Sequence, residues 1–149
     1  MMEPVITEPG RALEPVRAEE SRAKVGGWTG RLVLYLRVMA GFAMIKGLYH
    51  WAHVCGIGVA PEQVFEARIG AWQAATVFFA VIDLIAAVGL WLAAPWGAVV
   101  WLTSVVSMIA VDFLFPQVFG GLGLFTLFEF LLLLVYLWLA LMAAVEHPG

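Results

Sequence analysis

Lys46, Asp83, Asp112 and Glu129 each fall inside a different long apolar stretch of this 149-residue chain. On insertion scales a charge at the centre of a membrane helix costs about 2.5–3.5 kcal/mol. Such residues are retained to move protons or ions, to hold a ligand or metal, or to register helices against one another. Around them lie further polar groups at helical spacing. His50 and His53 follow Lys46 by four and seven residues and share its face. Thr126, Glu129 and Tyr136 share another face, and Thr76 with Asp83 a third.

Three chemistries fit these types. A quinone or other lipid-soluble ligand needs an apolar pocket with a few convergent polar groups, which His50, Tyr136 and the carboxyls could supply. A proton or ion pathway would use Asp83 and Glu129 as proton sites and Lys46 as counter-charge. A metal could take His50 and His53 with Asp112 or Glu129, but two His on a helix are a weak signal without a third ligand in register, so no metal is expected. Against all three stands the plain alternative that buried Lys–Glu and His–Asp pairs only register helices. The chain has no Gly-rich phosphate loop, nucleophile elbow, His-Glu-x-x-His motif or Cys-x-x-Cys pair, which disfavours an enzyme of the soluble type. Cys55 is the single cysteine, without a partner in the chain for a disulfide, and reads as inert.

The elements that position these groups follow from composition. With 63% hydrophobic and 13% charged residues, seven Trp and ten Phe, the chain is too apolar for a water-soluble domain of its size. A net charge of −3 and the lack of a basic stripe exclude a nucleic-acid-binding module. The pattern predicts an all-α polytopic membrane protein, an antiparallel four-helix bundle with spans at about 32–54, 72–94, 96–115 and 122–145, each near the 20 residues that cross the hydrocarbon core. Pro95 marks a tight hairpin between spans two and three, and Phe115-Pro116 with Gly120-Gly121 closes span three in the same way. The longer connection containing Pro61 to Ile69 reads either as a short interfacial helix or as a polar loop. Residues 1–31, mixed in charge and punctuated by Pro4, Pro9 and Pro15, read as a disordered cytoplasmic tail, and 146–149 as a short C-terminal one. No apolar run follows Met1, so the first span is expected to insert uncleaved.

Lys24, Arg31 and Arg37 flank the start of span one, whereas Arg68 is the only basic residue in the later connections, which predicts cytoplasmic termini in a bacterial inner membrane. Trp28, Trp91 and Trp96 then fall at the inner interface, Trp51 and Trp72 at the outer one. At 1.5 Å per residue, Asp112 and His50 lie about 5–6 Å below the outer ends of their spans, Glu129 and Lys46 about 10–12 Å and Asp83 about 16 Å. The expectation is a buried polar ladder from Asp112 and His50 through Lys46 and Glu129 to Asp83, with His53 above and Tyr136 on the Glu129 face. Arg37 points the opposite way and snorkels to the headgroups. One Lys against three carboxyls leaves a dry bundle negative unless protons are shared among these groups or the histidines are charged.

The stretch Arg31-Leu32 to Gly58, with Leu36-Arg37, Gly41, Lys46-Gly47 and His50-Trp51, followed by Ala71-Trp72-Gln73-Ala74, resembles a family of small bacterial inner-membrane proteins known as a domain of unknown function. That resemblance implies no activity. The Leu-Arg, Gly, Lys-Gly pattern of span one and the overall size are also similar to DoxX-like four-helix proteins, which implies association with membrane redox systems, including thiosulfate oxidation by quinone and oxidative-stress responses. Asp83, Asp112 and Glu129 have no counterpart in that pattern. The functional expectation is a non-catalytic accessory or assembly component of a membrane complex, linked to quinone as its cofactor. Its partners would be the bilayer and a membrane protein or a second copy, with Ala74-Ala75 and Ala86-Ala87 with Gly89 allowing close helix approach. The alternatives are an oligomeric proton-coupled carrier or channel, and a small redox or metal-binding subunit.

Overall fold

The computed structural model describes residues 27–146, and these contain helices and no strand. Helix α1 spans Trp28–Val54, α2 Gly70–Trp91, α3 Pro95–Leu114, the one-turn α4 Pro116–Phe119, and α5 Leu124–Glu146. The four long helices are each long and apolar enough to cross a membrane. They form a ring in which α1 packs on α2, α2 on α3, and α5 closes the circle between α3 and α1. Consecutive long helices run antiparallel.

Each end has a local cause. Ala94 is extended and Pro95 opens α3, where a missing N–H costs nothing. Before it, Ala93 takes a left-handed φ of 51°, and the Ala94 N–H returns to the Gly89 carbonyl at 3.0 Å, so α2 stops abruptly. Backbones then touch: a Cβ on Gly89 would sit 2.4 Å from the Gly97 Cα. Helix α1 begins four residues earlier than the expected boundary, since Trp28 packs edge-on against Trp138 at 5.2 Å and the Thr29 N–H donates to the Glu146 carboxylate at 3.3 Å. Trp28 to Arg31 therefore belong to the bundle rather than to a tail, and Glu146 ends α5. The remainder of the tail, residues 1–26, and residues 147–149 lie outside the described residues.

Two connections differ from expectation. The segment around residues 61–69 is neither a continuous interfacial helix nor a plain loop. It makes two separate 3-10 turns, Pro61–Gln63 and Phe65–Ala67, because Val64 between them is extended. The second turn is tied down by the Gln73 side-chain amide, which donates to the Phe65 carbonyl at 2.8 Å, and by Arg68 stacked 5.0 Å from the Trp72 ring. Spans three and four are joined by α4 and left-handed Gly120 and Gly121, which lay Phe119 over the bundle end.

The half of the bundle nearest the α2–α3 hairpin is an apolar core of Leu36, Met39, Ala40, Ala43, Ala86, Ala87, Leu90, Ala98, Trp101 and Val105. Its outward faces are also apolar, with Leu34, Val99 and Leu141 well exposed, as a lipid-facing surface requires. Helix α5 is the least embedded of the four, burying only Thr126, Glu129 and Leu139.

Replacing Gly89 by Ala forces apart two backbones in contact. Thermal unfolding in detergent, followed by circular dichroism, should show a loss of about 1–3 kcal/mol. Gly41→Ala, whose Cβ meets nothing within 4 Å, should show no loss.

Candidate functional site

Away from the apolar half, the interior turns polar, beginning with Lys46. Gly47, the next residue, lets α2 come so close that a Cβ there would meet Leu84 side-chain atoms at 2.9 Å, which sets Lys46 beside Asp83. The Lys46 ammonium donates to Glu129 Oε1 at 2.6 Å and lies 3.5 Å from Asp83 Oδ2. The Ser104 hydroxyl donates to the other oxygen of Asp83 at 2.5 Å. One network thus touches all four long helices. Its charged members are almost inaccessible, with Asp83 1% and Glu129 2% exposed.

A second pair sits nearer the bundle end, where the Thr126 hydroxyl of α5 donates to Asp112 Oδ2 of α3. Among the described residues, the carboxylate oxygens Asp83 Oδ2, Asp112 Oδ1 and Glu129 Oε2 and the Thr76 hydroxyl are buried without a hydrogen-bond partner. Among the described residues, Lys46 is the one cation set against these three carboxyl groups.

Among the described residues, two cavities at this end border His50. The first, about 460 Å³, lies between α1 and α5 beneath the segment around residues 119–123. Lys46, His50, Asp112 and Thr126 contribute its polar lining, and Phe42, Ile45, Tyr49, Met108, Phe119 and Phe125 its apolar walls. Ile45 and Phe125 are exposed on the membrane-facing side, so the mouth is lateral. The second cavity, about 360 Å³, is lined by His53, Arg68, Trp72 and Gln117 and shares Tyr49, His50 and Phe119 with the first. His50, 6% exposed, stands between the two, its ring 5.8 Å from Phe79 and 6.0 Å from Phe119. His53 is half-buried, packed edge-on against Tyr49 at 4.6 Å.

The structure thus brings Lys46, Asp83 and Glu129 together, sets Asp112 and His50 on the adjoining cavity, and puts His53 in the outer one. Tyr136 does not join them. It packs against Trp101 at 5.6 Å on the edge of the apolar core, because seven residues of helix carry it about 10 Å along α5 from Glu129. It therefore cannot share a ligand with His50 in either cavity. Nor, among the described residues, do any three of His, Cys, Asp and Glu, including His50, His53, Asp112 and Glu129, form a group able to hold a metal ion.

Sequence reasoning missed three residues. Ser104, one of two serines in span three, has as its signal a stride of eight from Asp112 on the buried face it shares with Met108. Tyr49 lines both cavities yet is largely exposed, which no periodicity reveals. Tyr35, whose hydroxyl donates to the Leu132 carbonyl at 2.5 Å, binds α1 to α5 through backbone and leaves no pattern of side-chain types to read.

Residues 30–147 match the DUF6163 family, described as a family of unknown function, and the chain belongs to that family. No curated protein and no solved structure matches the chain, and the likeness to DoxX-like proteins finds no support in these comparisons.

Removing Lys46 leaves two buried carboxyls without their cation. Lys46→Met should lose about 3–5 kcal/mol of stability, measured by denaturant unfolding in micelles. The double variant Lys46→Met with Glu129→Gln should recover part of that loss, because one stranded charge disappears with the ammonium.

Proposed function

We propose that this DUF6163 family member is a non-catalytic accessory or assembly component of a bacterial inner-membrane complex, one that holds a quinone-class ligand in the lateral cavity between α1 and α5. The observation that carries this reading is the cavity itself. A lipid-soluble ligand with a polar ring needs apolar walls, a few convergent polar groups and an opening towards the acyl chains, and all three coincide there. The lightly embedded α5 offers a partner the most exposed helix face. Basic Arg31 and Arg37 at the start of α1, against Arg68 alone at the other end, support cytoplasmic termini, with the cavities in the outer half of the membrane.

The second reading is an oligomeric proton-coupled carrier. The unpartnered buried carboxylate oxygens of Asp83, Asp112 and Glu129 favour it, since such groups can take up protons. Against it, the polar interior ends near Asp83, and the apolar core fills the bundle beyond.

Purification at native expression level in mild detergent, with mass spectrometry of co-purifying chains and of extracted lipids, distinguishes the two. The accessory reading expects a stoichiometric membrane partner together with a quinone. A lone protein without extractable quinone overturns it, and a pH-dependent flux in proteoliposomes that Asp83→Asn abolishes would put the carrier in its place.

A further inference from the structure

Arg68 runs against the charge bias of the chain. It is the only Lys or Arg in the connections after span one, at the bundle end opposite Arg31 and Arg37, where the positive-inside bias does not call for one. No carboxylate accounts for it, since among the described residues the ion pairs within 4.0 Å are those of Lys46 alone. Its position is nevertheless fixed. The Arg68 backbone N–H donates to the Phe65 carbonyl at 3.2 Å, and its guanidinium carbon lies 5.0 Å from the Trp72 ring centroid. Trp72 is buried and meets His53 edge-on at 6.1 Å, and His53 meets Tyr49 at 4.6 Å. Stacking on an indole uses the face of a guanidinium and leaves its in-plane N–H groups free for a ligand.

Arg68, Trp72, His53 and Tyr49 all line the outer cavity, and Gln117 of α4 adds a side-chain amide. Each of these side chains carries an N–H or O–H donor. No Asp or Glu lines this cavity, whereas Asp112 lines the lateral one. Glu62, from the same connection as Arg68, lines a neighbouring cavity instead. A volume of about 360 Å³ lies at the small end of ligand pockets. One positioned cation, ringed by donors and apart from carboxylates, fits a small anion with several acceptor oxygens.

We infer that the outer cavity binds a phosphate group, with Arg68 as its cation and His53 and Gln117 as further donors. The site is separate from the quinone-class reading of the lateral cavity and does not depend on it. Phosphate matches the guanidinium fork with two oxygens and has others left for the remaining donors. Its source is a phospholipid headgroup or free phosphate. The position favours the headgroup, because Tyr49, His50 and Phe119 are shared with a cavity whose mouth faces the acyl chains.

The test is isothermal titration calorimetry on the delipidated full chain in maltoside micelles, with empty micelles as the blank for partition. Three probes are compared: dioctanoyl phosphatidic acid, dioctanoylglycerol, which lacks only the phosphate, and inorganic phosphate. The expected result is phosphatidic acid bound about 10- to 100-fold more tightly than the diacylglycerol, the range of hydrogen bonding to a charged group. Arg68→Gln should remove that preference. Arg37→Gln, which takes the same charge from an exposed position on α1 towards the other end, should keep it. Helicity and monodispersity confirm that both variants fold. Inorganic phosphate bound as tightly as phosphatidic acid makes the source soluble, and weaker binding makes it the lipid headgroup; both uphold the site. Phosphatidic acid bound no more tightly than the diacylglycerol, with no binding of inorganic phosphate, overturns the inference. A preference that survives Arg68→Gln, or that Arg37→Gln weakens as much, overturns it equally.

Discussion

The ammonium of Lys46, held between a carboxylate of α5 and one of α2, is the contact around which the bundle is arranged. In lipid, apolar side chains gain little by leaving acyl chains for one another, so packing, close backbone approach and polar contacts decide which helices associate. Between α1 and α2 the approach is provided by Gly47 against Leu84, and between α2 and α3 by Gly89 against Gly97. Helix α5 has such a contact only at its last residue, where Gly27 meets the Glu146 side chain. Two of its three buried side chains are polar, and it is held by Lys46 to Glu129, Thr126 to Asp112, and Tyr35 to the Leu132 carbonyl. The network therefore fastens the one long helix that backbone proximity does not.

The interior is consequently divided along its length. Near the α2–α3 hairpin, small residues such as Ala40, Ala43, Ala86 and Ala87 let the helices close on an apolar core. Towards the other end, Phe42, Phe119 and Phe125 line a space left between α1 and α5. The same chain thus closes one half of its bundle and keeps the other partly open, and the boundary falls at the level of Lys46 and Asp83.

Much of this was legible in the amino-acid sequence because the bilayer admits so few solutions. Span number, the hairpin at Pro95 and the face shared by Lys46 and His50 all follow from helix period and hydropathy. The failures have a common physical origin, which is that depth and face on one helix do not say which helix stands opposite. Tyr136 lies on the Glu129 face, yet two turns along that face the neighbour is Trp101. Ser104 is inconspicuous until α3 is set beside α2. Helix α1 starts at Trp28 because Trp138 and Glu146, at the far end of the chain, supply its partners there. The two 3-10 turns depend on the extended backbone at Val64, which composition does not encode.

The separation of Lys46 from Glu129 by 83 residues has a consequence for biosynthesis. Chains are made from the N-terminus, so α1 reaches the insertion machinery with its ammonium unmatched. The first carboxylate to arrive is Asp83 on α2, which in the finished bundle stands at the longer distance of 3.5 Å and takes its hydrogen bond from Ser104. Glu129 is available only when the last span has emerged. Lys46 thus passes through a nascent state with one distant partner before it reaches its final one. A chain cut short before α5 carries into the lipid a cation that lacks its nearer carboxylate.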